Sequence, residues 1–197
     1  MDNQMLIIAQ EAIKTFDNAY ERYERLLKRL FQEEHPHNTD IYDVFPKVAV
    51  LNVIYSTRII AVSQVAEHIL KQEIDCLLAD GSLEAVRRIA NVKIREKKYC
   101  FYSFATKYCN WHNPDAYPIF DKNACACLLD YKRKDCFAGF KLDDLWVYQT
   151  FKKVVDDFRT HYRLESLNYK ELDKFLWQCG GEVIKSKADA KAVGTAV

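Results

Sequence analysis

The stretch FATKYCNWHNPDAYPIFD, residues 104–121, predicts a helix, a short loop and the start of a second helix. Asn113-Pro114 ends the first helix, because the residue before a proline disfavours helical conformation. Asp121 follows the loop at the position of an N-cap. The stretch therefore places an amine, Lys107, and a carboxylate, Asp121, on either side of one short connection.

The chain before this stretch has the periodicity of amphipathic helices. Apolar residues recur at steps of three and four between Leu6 and Leu30, which places them on one helical face. A second long helix is expected from about Pro46 to Leu78, because proline is tolerated in a first turn. Its most apolar part, residues 48–66, includes polar side chains that exclude a membrane span.

The remaining helices are expected after Ser82, over residues 97–110, after Asp121, over residues 142–162, and from Asn168 to a stop at Gly180-Gly181. No run alternates convincingly with period two, so the pattern predicts an all-α, multi-helix bundle. We expect one domain over residues 1–180. Residues 181–197 lack aromatic residues and periodicity, and we expect a flexible tail there.

The composition excludes several classes of protein. A hydrophobic share of 49% excludes a disordered chain, and five glycines with four prolines argue against a turn-rich β protein. The net charge of +1 means that any nucleic-acid binding would require a local basic patch.

Seven cysteines and no export signal predict a reduced, cytoplasmic protein. CAC at residues 125–127 is a weak metal motif, and we expect neither a metal nor a cofactor. The sequence does not indicate an oligomeric state.

Lys107 and Asp121 suggest a specific chemistry. A lysine in apolar surroundings loses hydration, which favours the neutral amine, a nucleophile able to form a Schiff base. A carboxylate nearby would stabilise positive charge that develops in the transition state. The alternative is structural: helical lysines usually extend to solvent, and an aspartate after a loop is usually only an N-cap.

The motifs SFATK, residues 103–107, and PIFD, residues 118–121, resemble the lysine–aspartate signature of the helix-hairpin-helix DNA glycosylases. The closest resemblance is to the 8-oxoguanine DNA glycosylase-like branch and its small bacterial relatives. LDKFLWQCG, residues 172–180, is similar to the terminal helix of those relatives. The family hairpin is glycine-rich, whereas REKKYCFYSFAT, residues 95–106, contains neither glycine nor proline. The resemblance therefore implies the glycosylase fold with a degenerate hairpin.

The resemblance also implies an activity. Lys107 would attack C1′ of a damaged nucleoside and expel the base, and the resulting imine would lead to strand cleavage. Asp121 would assist the lysine and stabilise the sugar cation. The substrate would be a modified purine such as 8-oxoguanine in DNA.

Five further residues are candidates for substrate binding: Trp111, His112, Lys97, Lys98 and Arg58. The first two follow Lys107 at a helix end, although Trp111 packing in the core and His112 lying in a loop are the ordinary alternatives. Lys97 and Lys98 belong to a basic cluster suited to phosphate. Arg58 is expected inside an apolar helix, where it could orient an acid, bind a phosphate or form a structural ion pair.

Three functional hypotheses follow. The first is a DNA glycosylase, with or without lyase activity. The second is a non-catalytic helical module on the same scaffold that binds nucleic acid or protein, which the near-neutral charge and the degenerate hairpin favour. The third is a helical structural protein in which the motif is accidental.

Overall fold

The structure is a computed structural model that describes residues 3–194, with side chains to residue 190. It is mainly helical, which confirms the all-α prediction. Within the described residues lie nine α-helices and one two-stranded sheet. The helices are α1 Gln4–Lys28, α2 Ile41–Ile54, α3 Val62–Leu70, α4 Asp75–Ala79, α5 Leu83–Ala90, α6 Tyr102–His112, α7 Lys122–Asp135, α8 Tyr148–His161 and α9 Tyr169–Gly194. The antiparallel strands are β1 Asn91–Ile94 and β2 Lys97–Cys100.

The chain divides into two compact units. Tyr20–Ile119 forms one unit, and the chain on both sides of it forms the other. We call Tyr20–Ile119 the inner unit, because it is the middle segment of the sequence, and the remaining chain the outer unit. The core of the inner unit consists of aliphatic and aromatic residues from α2, α3, α5 and α6, including Leu51, Ile69, Ile89 and Tyr108. The outer unit has its core on α7, α8 and α9. A single domain over residues 1–180 stays a prediction.

The long helix expected from Pro46 to Leu78 is wrong. Asp40 caps α2, where its side chain accepts a hydrogen bond from the backbone N–H of Tyr42 at 2.8 Å, and the helix ends at Ile54. The Asn52 side chain explains the break. Its Oδ1 accepts from the backbone N–H of Ile59 at 2.9 Å, and its Nδ2 donates to the Ile59 carbonyl at 2.8 Å. One amide therefore holds a loop between α2 and α3.

The helix expected over residues 97–110 is also partly wrong. Residues 91–100 form a β-hairpin, and α6 begins only at Tyr102. Arg95 and Glu96 make the two-residue turn with φ of 44° and 64°, the left-handed conformation that glycine and asparagine usually occupy in such turns. Because neither residue is a typical turn former, the sequence pattern did not reveal the hairpin.

The prediction that Gly180-Gly181 ends the last helix is wrong, since α9 continues to Gly194. A Cβ at position 180 would lie 1.9 Å from the Asn123 carbonyl oxygen. Gly180 therefore does not end the helix. Its missing side chain allows α9 to pack closely against α7. The part of the predicted tail beyond residue 194 lies outside the described residues.

In the described part of the chain, no helix is both long enough and apolar enough to cross a membrane.

Candidate functional site

One face of α6 carries Ser103, Lys107 and Trp111, which are spaced four residues apart. This spacing puts their side chains in one row along the helix. Tyr55, the residue that caps α2, contacts two of them. The Lys107 Nζ lies 5.3 Å from the centre of the Tyr55 ring, and the Trp111 indole N–H donates to the Tyr55 hydroxyl at 3.0 Å.

Lys107 is buried, with 4% of its surface exposed. Its Nζ donates a hydrogen bond to the Ser103 hydroxyl at 2.7 Å. The alternative that this lysine extends to solvent is therefore wrong. Burial removes water from this amine, while the hydroxyl and the aromatic ring face are partners that an ammonium group accepts. A nucleophilic role for Lys107 stays a prediction.

Trp111 is also buried, so the alternative that it packs in the core is correct. Its backbone carbonyl accepts a hydrogen bond from the Gln32 side chain at 3.3 Å. His112 is the last residue of α6 and does not lie in a loop. A role for either residue in substrate binding stays a prediction.

Asp121 caps α7, and its Oδ1 accepts a hydrogen bond from the backbone N–H of Ala124 at 2.8 Å. The N-cap prediction is confirmed. Asp121 belongs to the outer unit and Lys107 to the inner unit. Joint action of these two side chains stays a prediction.

A second row on α6, one residue further around the helix, carries Phe104, Tyr108 and His112. This row meets a buried polar cluster that includes Lys47 and Asn38. The Tyr108 hydroxyl donates to the Asn38 side-chain oxygen. The polar cluster thus anchors the helix that carries Lys107.

Lys47 is the centre of this cluster and is fully buried. Its Nζ donates to the carbonyls of His35 and His37 at 2.9 and 2.7 Å, and to the Asn38 Oδ1 at 2.8 Å. Three acceptors match the three N–H bonds of an ammonium group. Burial lowers the pKa of Lys47 to about 8, against the opposing attraction of Asp75 and Asp43.

His112 completes the cluster as a neutral ring. Its Nε2 lies 3.4 Å from both the Lys47 Nζ and the Asn38 Nδ2. Burial, followed by the charge of Lys47 and then His37, holds the pKa of His112 well below its usual range. The one lone pair of an unprotonated Nε2 can accept from the Asn38 amide, whereas a protonated Nε2 would face an ammonium group.

Lys97 and Lys98 lie on β2 of the hairpin, and both are exposed. Lys98 stands directly opposite Lys93 in the register, and Lys93 pairs with Glu96 at 2.6 Å. Like charges directly opposite in an antiparallel pair are destabilising. The hairpin thus carries exposed lysines on both of its faces, and Glu96 offsets the charge of one of them, Lys93.

The prediction that Arg58 lies in a buried helical stripe is wrong. Arg58 is exposed, and it lies in the loop after α2 with a φ of 62°. The reason is the break at Asn52 described above. The neighbouring Ile60 is 99% exposed, so this loop presents both a cation and an apolar side chain to solvent.

Comparison with known proteins places the chain in a family. The family described as HI_0787_N, an N-terminal domain, matches residues 8–116, more than half of the chain. This chain belongs to the HI_0787_N family. It is also 43% identical over 152 residues to an uncharacterized protein of Haemophilus influenzae, an alignment that covers 76% of this chain and 73% of that protein. No solved structure matches the chain.

The HI_0787_N match includes both rows of α6, the Lys47 cluster and the hairpin, but it ends before Asp121.

Sequence reasoning missed two residues of this region, Tyr55 and Lys47. Tyr55 has no distinguishing signal, because an aromatic residue in an apolar segment usually belongs to the core. Lys47 could have been found, since it is the only basic residue in IYDVFPKVAVLNVI and falls among the buried positions Val44, Val48 and Leu51.

Proposed function

We propose that this chain is a DNA N-glycosylase that removes a modified purine such as 8-oxoguanine, with an associated lyase step. The observation that carries the proposal is the burial of Lys107, at 4% exposure, between the Ser103 hydroxyl and the Tyr55 ring. Lysines on a helix normally keep their ammonium in water.

The proposed reaction begins with the neutral amine of Lys107. The amine attacks C1′ of the damaged nucleoside, the C1′–N9 bond breaks, and the base leaves with the electron pair of that bond and gains a proton. The aminal then opens to an imine, from which β-elimination cleaves the strand. Asp121 is assigned to stabilise the positive charge on the sugar.

The remaining candidates have supporting roles in this proposal. Lys97 and Lys98, exposed on the hairpin, would contact DNA phosphates. Arg58, exposed in the loop after α2, would do the same, and Trp111 and His112 would lie beside the extruded nucleotide. We also place the protein in a reducing, cytoplasmic compartment, which is consistent with seven cysteines in the thiol form.

The test is borohydride trapping. Wild-type protein is incubated with duplexes that contain 8-oxoguanine, reduced with borohydride and examined for a covalent protein–DNA adduct. We expect an adduct with wild type and none with Lys107→Gln or Lys107→Met, because only a lysine amine forms the reducible imine. The matched control is Lys153→Gln, which removes a lysine with a 71% exposed side chain on α8 and should keep the adduct.

The trapping experiment also separates the alternatives. Circular dichroism of each variant shows whether it is folded. If folded wild type forms no adduct across a panel of oxidised and alkylated purines, the lysine-glycosylase proposal is wrong. Retained duplex binding in that sample would then favour the non-catalytic nucleic-acid-binding module.

A further inference from the structure

The outer unit contains a thiol pair that the proposed reaction does not use. At Gly180 the backbone of α9 touches the backbone of α7, because even a Cβ there would lie 1.9 Å from the Asn123 carbonyl oxygen. The Asn123 Nδ2 also donates to the Trp177 carbonyl at 3.1 Å. Cys127 is one turn beyond Asn123, and Cys179 precedes Gly180. The close helix approach therefore brings these two cysteines together.

The two cysteines, which lie on helices in contact, differ in exposure. Cys127 is fully buried, whereas Cys179 is half-buried and lines an open groove. The groove is bordered by charged side chains, mostly basic: Asp130, Arg133, Lys134, Glu182 and Lys187. A small polar oxidant in solvent therefore reaches Cys179 first.

The electrostatics of the pair favour the accessible sulfur as the thiolate. The neighbouring Cys127 thiol, aided by the charge of Lys134, lowers the pKa of Cys179 against the opposing effects of burial and Glu182. The same interaction and burial raise the pKa of Cys127 well above its usual value. Cys179 is therefore the more accessible and the more readily ionised of the two thiols, and Cys127 is the buried, protonated one.

We propose that Cys127 and Cys179 form a peroxide-oxidisable pair, with Cys179 as the attacking thiolate and Cys127 as the resolving thiol. The Cys179 sulfur attacks one oxygen of hydrogen peroxide, the O–O bond breaks, and hydroxide leaves to give a sulfenic acid. The Cys127 sulfur then attacks the sulfenic sulfur, a disulfide forms and water leaves. Two electrons pass from the thiols to the peroxide, which ends as two water molecules.

A disulfide fits this pair better than a metal ion. Within residues 3–190, no group of three histidine, cysteine or acidic side chains is arranged to hold a metal. Two sulfurs alone do not complete a tetrahedral zinc site. The bond would link α7, which begins after Asp121, to α9.

Peptide mapping tests the proposal on the wild-type protein. After treatment with hydrogen peroxide, free thiols are alkylated and the protein is digested with trypsin. Cleavage after lysine places Cys179 in FLWQCGGEVIK, residues 175–185, and Cys127 in NACACLLDYK, residues 123–132. We expect these two peptides joined, with the loss of two hydrogens, and separated again by dithiothreitol.

Variants identify the sulfurs, because NACACLLDYK also contains Cys125. The joined peptides should persist in Cys125→Ser and disappear in Cys127→Ser and Cys179→Ser. The exposed residues Cys76, Cys100 and Cys136 serve as internal gauges of oxidant dose. The proposal is overturned if these gauge cysteines oxidise while wild type gives no joined peptides. It is equally overturned if the link survives in Cys127→Ser.

Discussion

At the scale of single residues, the inner unit accepts a buried cation because it supplies that cation with oxygen acceptors. The Lys47 ammonium has three of them within 2.9 Å, two of which are carbonyls of the segment before α2. Leaving such groups unpaired costs about 1–3 kcal/mol each. Lys47 thus fixes the segment at residues 35–38 against α6, and with it the row that carries Lys107.

His112 gives this cluster a pH dependence. Its pKa is well below the usual value in the folded protein and near 6.5 in an unfolded chain. Below pH 6.5 the unfolded chain therefore binds a proton that the folded protein does not. The contribution of His112 to stability is complete above about pH 6.5 and is lost as the pH falls.

We expect His112→Gln to flatten the acid side of the stability curve. The free energy of unfolding of wild type should lose up to about 1.4 kcal/mol per pH unit below pH 6.5 through this one group, and the variant should lack that part of the slope. Urea denaturation at several pH values between 5 and 7.5 measures it. His161→Gln, at an exposed histidine on α8, reports the effect of the substitution itself. Equal slopes in wild type and His112→Gln would contradict the assignment.

At the scale of elements, the loop between α2 and α3 depends on one side chain. Asn52 makes hydrogen bonds to both backbone groups of Ile59 and accepts one from the Thr57 hydroxyl at 2.8 Å. The loop also contains Ser56 and Arg58 with φ of 49° and 62°, a conformation that costs non-glycine residues free energy. The Asn52 amide therefore offsets backbone strain.

Asn52→Ala should lower the free energy of unfolding by about 1–3 kcal/mol, because it leaves buried backbone groups of the loop unpaired. Urea unfolding of the variant and wild type measures the difference. Asn18→Ala, at an exposed position on α1, is the matched control and should change stability by no more than about 0.5 kcal/mol. A loss as small in Asn52→Ala as in the control would mean that the loop is held by other contacts.

The same elements show what the sequence could predict. The periodicity identified the helical class, since this depends on repeated apolar spacing, and the N-cap at Asp121 marked the start of the helix that follows it. It missed the break after Ile54 and the hairpin at residues 91–100, because each depends on a single local arrangement: one amide bonded to a loop, and a turn of two charged residues in left-handed conformation. Gly180 was expected to end the last helix, but its role is a close contact with α7. Such a tertiary contact leaves no pattern in the local sequence.

The candidate site was predictable to a similar extent. Lys107 and Asp121 were chosen from motifs, and their role stays a prediction; the structure shows that Lys107 is buried. Tyr55 comes from the far end of α2, and its contact with Lys107 is tertiary. Arg58 was expected to be the buried cation of this segment, because the helix was expected to continue past Ile54. The helix ends at Ile54, Arg58 is exposed, and the buried cation is Lys47.

At the scale of the whole molecule, the net charge of +1 provides little long-range attraction to DNA. If the protein binds DNA, the attraction must come from local cations, and the hairpin concentrates them. Lys93 and Lys98 face each other across the strands, Lys97 stands opposite Ile94, and Arg95 occupies the turn. Glu96 offsets the charge of Lys93, which leaves Lys97 and Lys98 as the hairpin lysines for phosphate contact.

This arrangement predicts the salt dependence of duplex binding. Each phosphate contact that is lost reduces the slope of log K against log salt by about 0.9. Lys97→Gln combined with Lys98→Gln should therefore reduce the slope by about 1.8, when affinity is measured by fluorescence anisotropy between low and moderate salt. The matched double variant Lys14→Gln with Lys153→Gln removes two exposed lysines elsewhere and the same net charge. If both double variants reduce the slope equally, the effect is one of overall charge, and the hairpin is not the surface that DNA contacts.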